Sequence, residues 1–335
     1  MMRPMHAPVA HPIRIIDANL VRQLASRDAL RAWMQEAMVA ASAGQAVMPL
    51  RRAMQLPGGL GLLGMMPGHL GAANAAGIKL VSLVPPERRR GSSHLGLMVL
   101  YDDDGLVPIA ILCGATVTAV RTSAVTALAT DQLARPDAHV LALLGTGEQA
   151  EAHLRALPAV RRFDDIRVWG RDPTRTRAFV DRHRQTGSPL RVCATVSEAV
   201  EGAQVICTLT SSATPVLPGA LLQPGMHINL VGSSVPDAAE ADDELVRRSR
   251  FFVDWRESAL NQAGELLHAI RNSVVTAEHI QAELGAVIAG QAPGRVSVDD
   301  ITVYKSLGIA AQDLMTARRV FDLAQAQDLG QVIHL

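Results

Sequence analysis

The sequence predicts an α/β protein in which a doubly wound parallel sheet is joined to a second domain of α+β type. Two observations support this fold class. From residue 139 onward, short apolar runs alternate with helical segments, which is typical of parallel strands joined by helices. Before residue 130, strand-like runs follow one another with turn residues between them, which indicates hairpins instead.

Six apolar runs in the second part of the chain are the predicted parallel strands. They are HVLALL (139–144), DIRVWG (165–170), LRVCATV (190–196), VICTLT (205–210), HINLVGS (227–233) and FFVDW (251–255). The segments that follow the first three runs, EQAEAHLRAL, TRTRAFVDRHRQ and SEAVEGA, have helical character. Strands that are apolar throughout are expected where helices cover both faces of a sheet.

The first part of the chain combines an amphipathic helix near DALRAWMQEAMVAA with the strand-like runs GIKLVSLVPP and GLMVLYDDDGLVPIAIL. The acidic triplet within the second run, residues 102–104, could suggest a metal site, but it is better explained as a hairpin turn. No cluster of His, Cys and Glu has metal-ligand spacing, so no metal is expected. The tail at 305–327 has helical periodicity and no strand partner of its own, so we expect it to cross back to the first domain.

Composition excludes several classes of partner. The chain has 335 residues, of which 32 are basic and 32 acidic, so the net charge gives no reason to expect nucleic acid or an anionic membrane. A small-molecule ligand is the remaining expectation. The three cysteines are an odd number without CxxC spacing, and the first 20 residues contain prolines where a signal peptide needs an apolar stretch. We therefore expect a cytoplasmic protein with reduced thiols.

A glycine motif marks the turn after the first predicted parallel strand. GTGEQA (145–150) stands directly after HVLALL and at the start of the next helix. In that context G-x-G-x-x-A is a dinucleotide fingerprint of the Rossmann fold. The first glycine makes the turn, the second lets the backbone approach the pyrophosphate, and the alanine lets helix and strand pack closely. The alternative is an ordinary tight turn.

The end of the second strand bears on the choice of cofactor. An acidic residue there binds the ribose of NAD, whereas an arginine accommodates the extra phosphate of NADP. Here Arg171 comes first and Asp172 follows, with Arg175 one turn further on. This order favours NADP, with NAD as the alternative. The same charges could instead be solvated loop residues.

Hydroxyl-bearing residues follow two later strands. Thr210, Ser211 and Ser212 stand just past a strand's carboxyl end, where ligands of open α/β sheets bind. The segment VGSSVPDAAE (231–240) repeats the arrangement, and its small residues would let a flat nicotinamide ring approach the backbone. Ser and Thr are also ordinary loop residues.

Basic residues interrupt apolar segments in the first part of the chain. Arg121 is the single charge in GATVTAVRTSAVTALAT, and Lys79 lies within GIKLVSLV. A buried arginine requires an anion, which could be a carboxylate of the protein or one of a ligand. Adjacent residues of a strand face opposite ways, so only one of Arg51 and Arg52 can point into a common site with Lys79. Together these cations could bind a substrate carboxylate, and separate intramolecular ion pairs are the alternative.

The colinear set of motifs resembles the ornithine cyclodeaminase/mu-crystallin family over nearly the whole chain. The matching pieces are PLR (49–51), MMPGH (65–69), GIKLVSLVP (77–85), TAVRTSA (118–124), LLGTGEQA (143–150), VGSSVPDAAEAD (231–242), QAGEL (262–266) and KSLGIAAQDL (305–314). The resemblance implies a substrate-binding and dimerisation domain over 1–125 plus 306–335, and a Rossmann domain over 126–305. It implies a homodimer and a nicotinamide cofactor.

The resemblance also assigns site residues. The family's P-x-R selects Arg51 over Arg52, and it implies that Arg51, Lys79 and Arg121 bind the substrate carboxylate. Lys79 and Ser234 are then the candidate catalytic residues. The candidate cofactor-binding residues are Thr122, Gly145, Thr146, Gly147, Glu148, Gln149, Arg171, Thr210, Ser211, Gly232 and Ser306.

Two departures from the cyclodeaminase pattern decide the expected reaction. Cyclodeaminases carry an aspartate two residues before the proline of VGSSVPD and a glutamate before MMP, where this chain has Ser234 and Gly64. Cyclodeamination requires a base to take an ammonium proton, and a serine hydroxyl is too weak a base. A cyclic imine can bind already protonated, so reduction needs only orientation and electrostatics.

We therefore predict NAD(P)H-dependent reduction of a cyclic ketimine carboxylate such as Δ1-pyrroline-2-carboxylate, with Ser234 hydrogen-bonding at the imine nitrogen. The family's reductases resemble this chain in having serine there, although a turn serine is the alternative. The rival functions are ornithine cyclodeaminase, an alanine-type amino-acid dehydrogenase and a non-catalytic NADPH-binding protein.

Overall fold

The computed structural model describes residues 11–85, 88, 94–184 and 189–334, and it divides the chain into two compact units. Unit 1 comprises the described residues within 1–26, 45–118 and 310–335. Unit 2 comprises residues 27–44 and 119–309. Unit 2 is a doubly wound α/β structure and unit 1 combines a mixed sheet with helices, which agrees with the predicted pairing of an α/β and an α+β domain.

Unit 1 is built on a mixed sheet. Its hairpins join consecutive antiparallel strands, which confirms the prediction of hairpins in the first part of the chain. The acidic triplet lies in one hairpin turn, where the Asp102 carboxylate accepts hydrogen bonds from the backbone N–H groups of Gly105 (2.9 Å) and Val107 (3.3 Å). The strands are β1 (Pro12–Ile16), β2 (Ala46–Val47), β3 (Arg52–Leu56), β4 (Gly61–Leu70), β5 (Ala75–Leu83), β6 (His94–Tyr101), β7 (Pro108–Cys113) and β16 (Gln331–His334), in the order β16-β1-β7-β6-β5-β4-β2 with β3 also on β4.

One face of this sheet is covered by the C-terminal helix α11 (Ala310–Ala326). The helix approaches closely because glycines face it. A Cβ placed on Gly68 would lie 2.8 Å from the Ala310 Cβ. On the same face, Lys79 pairs with Met66 on one side and Met98 on the other, and all three are buried. The sheet also carries α1 (Ala18–Leu24), and α3 (Gly114–Leu133) begins directly after β7.

The opposite face of the same sheet is apolar and partly exposed. Residues directly opposite each other on antiparallel strands point to the same side. Met65, Leu80 and Leu97 form such a row, and Leu97 is 50% exposed. Leu95 and Met54 on neighbouring positions of this face are exposed to a similar degree.

Unit 2 contains an eight-stranded, fully parallel sheet with an apolar core on each face. This confirms the doubly wound sheet predicted from the apolar runs. The strand order reverses between β8 and β11, which is where open α/β sheets bind ligands. The strands are β8 (Val140–Leu144), β9 (Asp165–Trp169), β10 (Leu190–Val192), β11 (Val205–Thr208), β12 (His227–Leu230), β13 (Arg250–Val253), β14 (Ile280–Glu283) and β15 (Thr302–Lys305), in the order β10-β9-β8-β11-β12-β15-β13-β14.

The helices of unit 2 alternate with its strands, and α3 continues into this unit. Besides α3 they are α2 (Arg27–Ser42), α4 (Glu148–Ala156), α5 (Pro173–Arg184), α6 (Val196–Val200), α7 (Asp243–Arg248), α8 (Arg256–Gln262), α9 (Gly264–Arg271) and α10 (Leu284–Ile288). Among the described residues, no helix is both long and apolar enough to cross a bilayer.

The compact units differ from the domain boundaries expected from the sequence. Helix α2 belongs to unit 2, because it packs on α10, where the backbone of Gly285 lies against that of Met38. The changeovers fall at 118/119 and 309/310 rather than at 125/126 and 305/306. Amphipathic periodicity identified α2 as a helix but could not tell which sheet its apolar face meets.

Two buried histidines of unit 2 predict an acid-sensitive fold. The His153 ring lies 2.7 Å from Gln149 O and 3.0 Å from Thr126 Oγ1, and the His227 ring lies 3.0 Å from Thr302 Oγ1. Burial lowers the pKa of His153 to about 4 and that of His227 to about 3. Both are therefore neutral in the folded protein at pH values where the unfolded chain binds protons.

We expect the contribution of the two histidines to the free energy of unfolding to be fully present above about pH 6.5. It should fall as the pH drops toward 4, by up to about 1.4 kcal/mol per pH unit for each histidine. Urea unfolding measured across this pH range tests the expected fall in the free energy of unfolding. His227→Asn should remove part of the slope, and His139→Asn, at an exposed histidine, should leave it unchanged. Equal slopes in all three proteins would contradict the assignment.

Candidate active site

The glycine turn after β8 has the geometry of a dinucleotide-binding turn. Gly145 has a φ of +136°, and a Cβ there would lie 2.5 Å from Leu209 O. Its N–H donates to Trp169 O at 2.8 Å. Gly147 is the N-cap of α4 and has no side chain to cap it, and a Cβ on Gly147 would meet nothing within 4 Å. An open helix N-terminus with room at the second glycine fits a pyrophosphate.

The charges after β9 are arranged around the start of α5. Asp172 Oδ1 accepts from the N–H groups of Thr174 (2.9 Å) and Arg175 (3.2 Å), and its Oδ2 lies 3.4 Å from Arg175 Nε. This carboxylate is therefore a helix cap, engaged with its own helix. Arg171 is exposed just before it.

The loops after β11 and β12 meet through a buried glutamate. Thr210 donates to Glu240 Oε1 through both its N–H and its hydroxyl, each at 2.7 Å. The N–H of Gly232 donates to Glu240 Oε2 at 2.6 Å. Ser211 is exposed. Ser234 is half-buried, and within the described residues its hydroxyl makes no hydrogen bond.

Arg121 is buried on α3, only 3% exposed, against the turn that follows β15. Gly308 in that turn has a φ of +78°, and a Cβ there would lie 2.5 Å from Arg121 Nη1. The buried Asp254 carboxylate accepts from the N–H groups of Leu307 (2.8 Å) and Gly308 (2.6 Å). The sequence left open whether the anion near Arg121 comes from the protein, and the structure places a buried carboxylate on the same turn.

Arg121 and Asp254 also change the pKa of Tyr304, in opposite directions. Burial raises the pKa of Tyr304 well above its usual value, and the negative charge of Asp254 raises it further, whereas Arg121 lowers it. The Tyr304 hydroxyl thus stays protonated.

Lys79 forms a buried ion pair in unit 1. Its Nζ lies 2.7 Å from Asp313 Oδ2 on α11, and the side chains are 4% and 1% exposed. This is the intramolecular ion pair that the sequence left as the alternative for Lys79. Arg51 is half-buried directly before β3, whereas Arg52 is exposed on that strand. The choice of Arg51 over Arg52 remains a prediction.

The predicted residues are distributed over both units. Arg51 and Lys79 belong to unit 1, and Arg121 and Ser234 to unit 2. Among the predicted cofactor-binding residues, Thr122 is buried on α3, and Ser306 is buried directly after β15, where its N–H donates to Leu230 O at 2.9 Å. The others lie at carboxyl ends of strands or the start of α4: Gly145, Thr146, Gly147, Glu148, Gln149, Arg171, Thr210, Ser211 and Gly232.

Sequence reasoning missed the buried acids and one lysine. Asp254 lies in the quoted run FFVDW, and Asp313 in KSLGIAAQDL. A charged residue inside an apolar run is the signal by which the sequence could have identified Asp254. The remaining missed residues are Glu240, Glu265 and Lys305.

Within the part of the chain that the structure describes, no group of His, Cys, Asp and Glu could hold a metal ion.

The doubly wound sheet and its glycine turn are those of a dinucleotide-binding domain, and the similarity to named reductases makes the chain an NAD(P)H-dependent oxidoreductase. The chain belongs to the ornithine cyclodeaminase/mu-crystallin family, which residues 15–328 match. This confirms the resemblance drawn from the motifs.

Named relatives agree with this assignment. The ketimine reductase mu-crystallin of Mus musculus is 38% identical over 281 residues, which cover 83% of this chain and 86% of that protein. The Δ1-pyrroline-2-carboxylate reductase of Bacillus cereus is 33% identical over 95% of this chain and 99% of its own length. The structure of the Thermococcus litoralis Δ1-pyrroline-2-carboxylate reductase in complex with NADH and L-proline superposes with a TM-score of 0.92 at 30% identity, covering 96% of this chain and 100% of that one.

Proposed function

We propose that this protein reduces cyclic ketimine carboxylates with NADPH, with Δ1-pyrroline-2-carboxylate as the first substrate and proline as its product. The observation that carries the proposal is the lack of a carboxylate at the two positions where cyclodeaminases have one. Ser234 occupies the first, and it is half-buried. Gly64 occupies the second, where a Cβ would lie 3.0 Å from Val81 Cγ1, so Val81 would have to shift to admit a side chain.

The proposal gives each cation a role. Arg51, Lys79 and Arg121 bind the substrate carboxylate, with arginine suited to a bidentate contact. Asp313 holds the Lys79 side chain in place, since its Oδ2 lies 2.7 Å from Nζ. The Ser234 hydroxyl oxygen accepts a hydrogen bond from the N–H of the protonated imine. A substrate that arrives as the iminium needs no base, so orientation and electrostatics are sufficient.

The cofactor residues follow from the geometry of unit 2. The turn at Gly145 and Gly147 and the start of α4 would hold the pyrophosphate, and Arg171 would bind the 2′-phosphate of NADP, since Asp172 is engaged as a helix cap. A bound reduced nicotinamide supplies the hydride.

The assembly we propose is a cytoplasmic homodimer. The partly exposed apolar face of the unit 1 sheet, defined by Met54, Met65, Leu80, Leu95 and Leu97, is of the kind that marks protein interfaces. An archaeal alanine dehydrogenase that is similar to this chain, with a TM-score of 0.90 at 30% identity, is described as a dimer with bound NAD. The free cysteines fit a reducing compartment, and burial raises the pKa of the Cys207 thiol to about 12.

The test is to follow oxidation of NADPH and of NADH on addition of Δ1-pyrroline-2-carboxylate. We expect rapid, substrate-dependent oxidation and no ammonia from ornithine with NAD. Ser234→Ala should lower kcat about tenfold, the order expected for losing one hydrogen bond to a charged group. Ser197→Ala is the control, because Ser197 is exposed on α6 and is not among the residues proposed to bind substrate or cofactor.

Other outcomes identify the rival functions. Ammonia from ornithine would show a cyclodeaminase. Oxidation of NADPH by a keto acid only when ammonia is present would indicate an amino-acid dehydrogenase, and tight NADPH binding without any turnover would indicate a binding protein.

A further inference from the structure

Glu240 joins two loops that follow neighbouring parallel strands. Its fully buried carboxylate accepts from Thr210 after β11 and from Gly232 after β12, and the hydroxyl of Thr208 donates to Oε2 at 2.6 Å. Each carboxylate oxygen receives one backbone N–H, from Thr210 on Oε1 and from Gly232 on Oε2. Since a backbone N–H can only donate, both oxygens must act as acceptors.

The backbone of Glu240 extends the same connection. Its carbonyl accepts from Val216 N (2.8 Å) and Leu217 N (3.0 Å), further along the loop after β11. Its N–H donates to Glu265 Oε1 on α9 at 3.0 Å. One residue therefore holds both loops and a helix.

A buried ion pair is connected to Glu240 through Glu265. Lys305 Nζ, at the end of β15, lies 2.8 Å from Glu265 Oε2, and both side chains are fully buried. The same ammonium donates to Ser233 O at 2.8 Å, the carbonyl that directly precedes Ser234. Burial raises the pKa of Glu240, while its hydrogen bonds to the two threonines and the charge of Lys305 oppose that shift.

We propose that Glu240 is a positioning residue that sets the loops after β11 and β12 in place for the nicotinamide half of the cofactor. This inference rests on the proposed cofactor assignment. The residues proposed for the adenosine half are Arg171 and the turn at Gly145 and Gly147, and none of them bonds to Glu240. Loss of the Glu240 connection should therefore affect the two halves of the cofactor unequally.

Glu240→Gln tests the connection with almost no change in volume. In either orientation, the side-chain NH₂ of glutamine faces a backbone N–H, that of Thr210 or that of Gly232, so one loop loses its acceptor. We expect the Kd for NADPH to rise about tenfold, which corresponds to about 1.4 kcal/mol. The Kd for 2′,5′-ADP, a probe of the adenosine half, should stay within about twofold, as expected when no contact to that half is lost.

Two further variants keep the test decisive. Thr208→Val removes only one donor to Glu240 and should raise the Kd for NADPH about threefold, again without effect on 2′,5′-ADP. His227→Asn is the matched control, because His227 is buried at the opposite end of β12, so both Kd values should be unchanged.

The outcomes separate this inference from the proposed reaction. Equal weakening of NADPH and 2′,5′-ADP, or no weakening of either, would overturn the positioning role. If the wild-type protein fails to reduce the imine while the unequal effect on binding is observed, the positioning role stands and the proposed reaction is wrong.

Discussion

Replacing Asp313 with leucine is expected to lower the free energy of unfolding by about 3–5 kcal/mol, because it removes the carboxylate 2.7 Å from the buried Lys79 ammonium. Both groups lie between α11 and the sheet of unit 1, where water cannot replace the lost partner. Urea unfolding of the wild type and the variant measures the change. A loss below about 1 kcal/mol would mean that the pair behaves like a surface ion pair.

Adding Lys79→Met to Asp313→Leu separates structure from function. An apolar pair of similar volume often restores or even exceeds the stability of a buried ion pair, so the double variant should recover most of the loss. It should nevertheless lack reductase activity, since Lys79 is proposed to bind the substrate carboxylate. A stable double variant that retains activity would leave Lys79 with a structural role alone.

Arg171→Gln is expected to lower kcat/KM for NADPH by about 30–100-fold and to leave that for NADH within about threefold. A charge-assisted contact to phosphate contributes about 2–3 kcal/mol, and NADH lacks the 2′-phosphate. Parallel assays with the two cofactors, at saturating imine, measure the ratio.

Arg177→Gln is the control for a general loss of positive charge near this site. Arg177 is exposed on α5, the same helix that Asp172 caps, and it is not among the residues proposed to bind cofactor. Equal loss with both cofactors in Arg171→Gln, or the same loss in Arg177→Gln, would contradict recognition of the 2′-phosphate by Arg171.

The elements with strong local patterns could be predicted from the sequence. The strands β8, β9, β11, β12 and β13 lie within or next to the predicted apolar runs, because a strand buried on both faces has to be apolar throughout. Run 190–196 was predicted too long: β10 ends at Val192, and Thr195 caps α6 through its side chain. The strands β14 and β15 were missed, because a charged residue ends each of them and neither stands out as an apolar run.

Candidate site residues could be selected from the sequence, but the residues that contact them could not. The glycine turn and the candidate cations stand out locally, as an unusual residue in its surroundings. The partners of Lys79 and Thr210 are Asp313 and Glu240, which lie 234 and 30 residues further along the chain. Such pairings depend on how the chain folds back, which a local pattern does not contain.

The position of β15 has a consequence for synthesis on the ribosome. This strand lies between β12 and β13 in the sheet, although it is the last of the eight to be translated. Strands β8 to β12 can pair with one another as they emerge, but β13 and β14 have no place beside β12 until residues 302–305 arrive. A nascent chain stalled before that point would present two unpaired parallel edges, which makes it a target for chaperones or a source of aggregation.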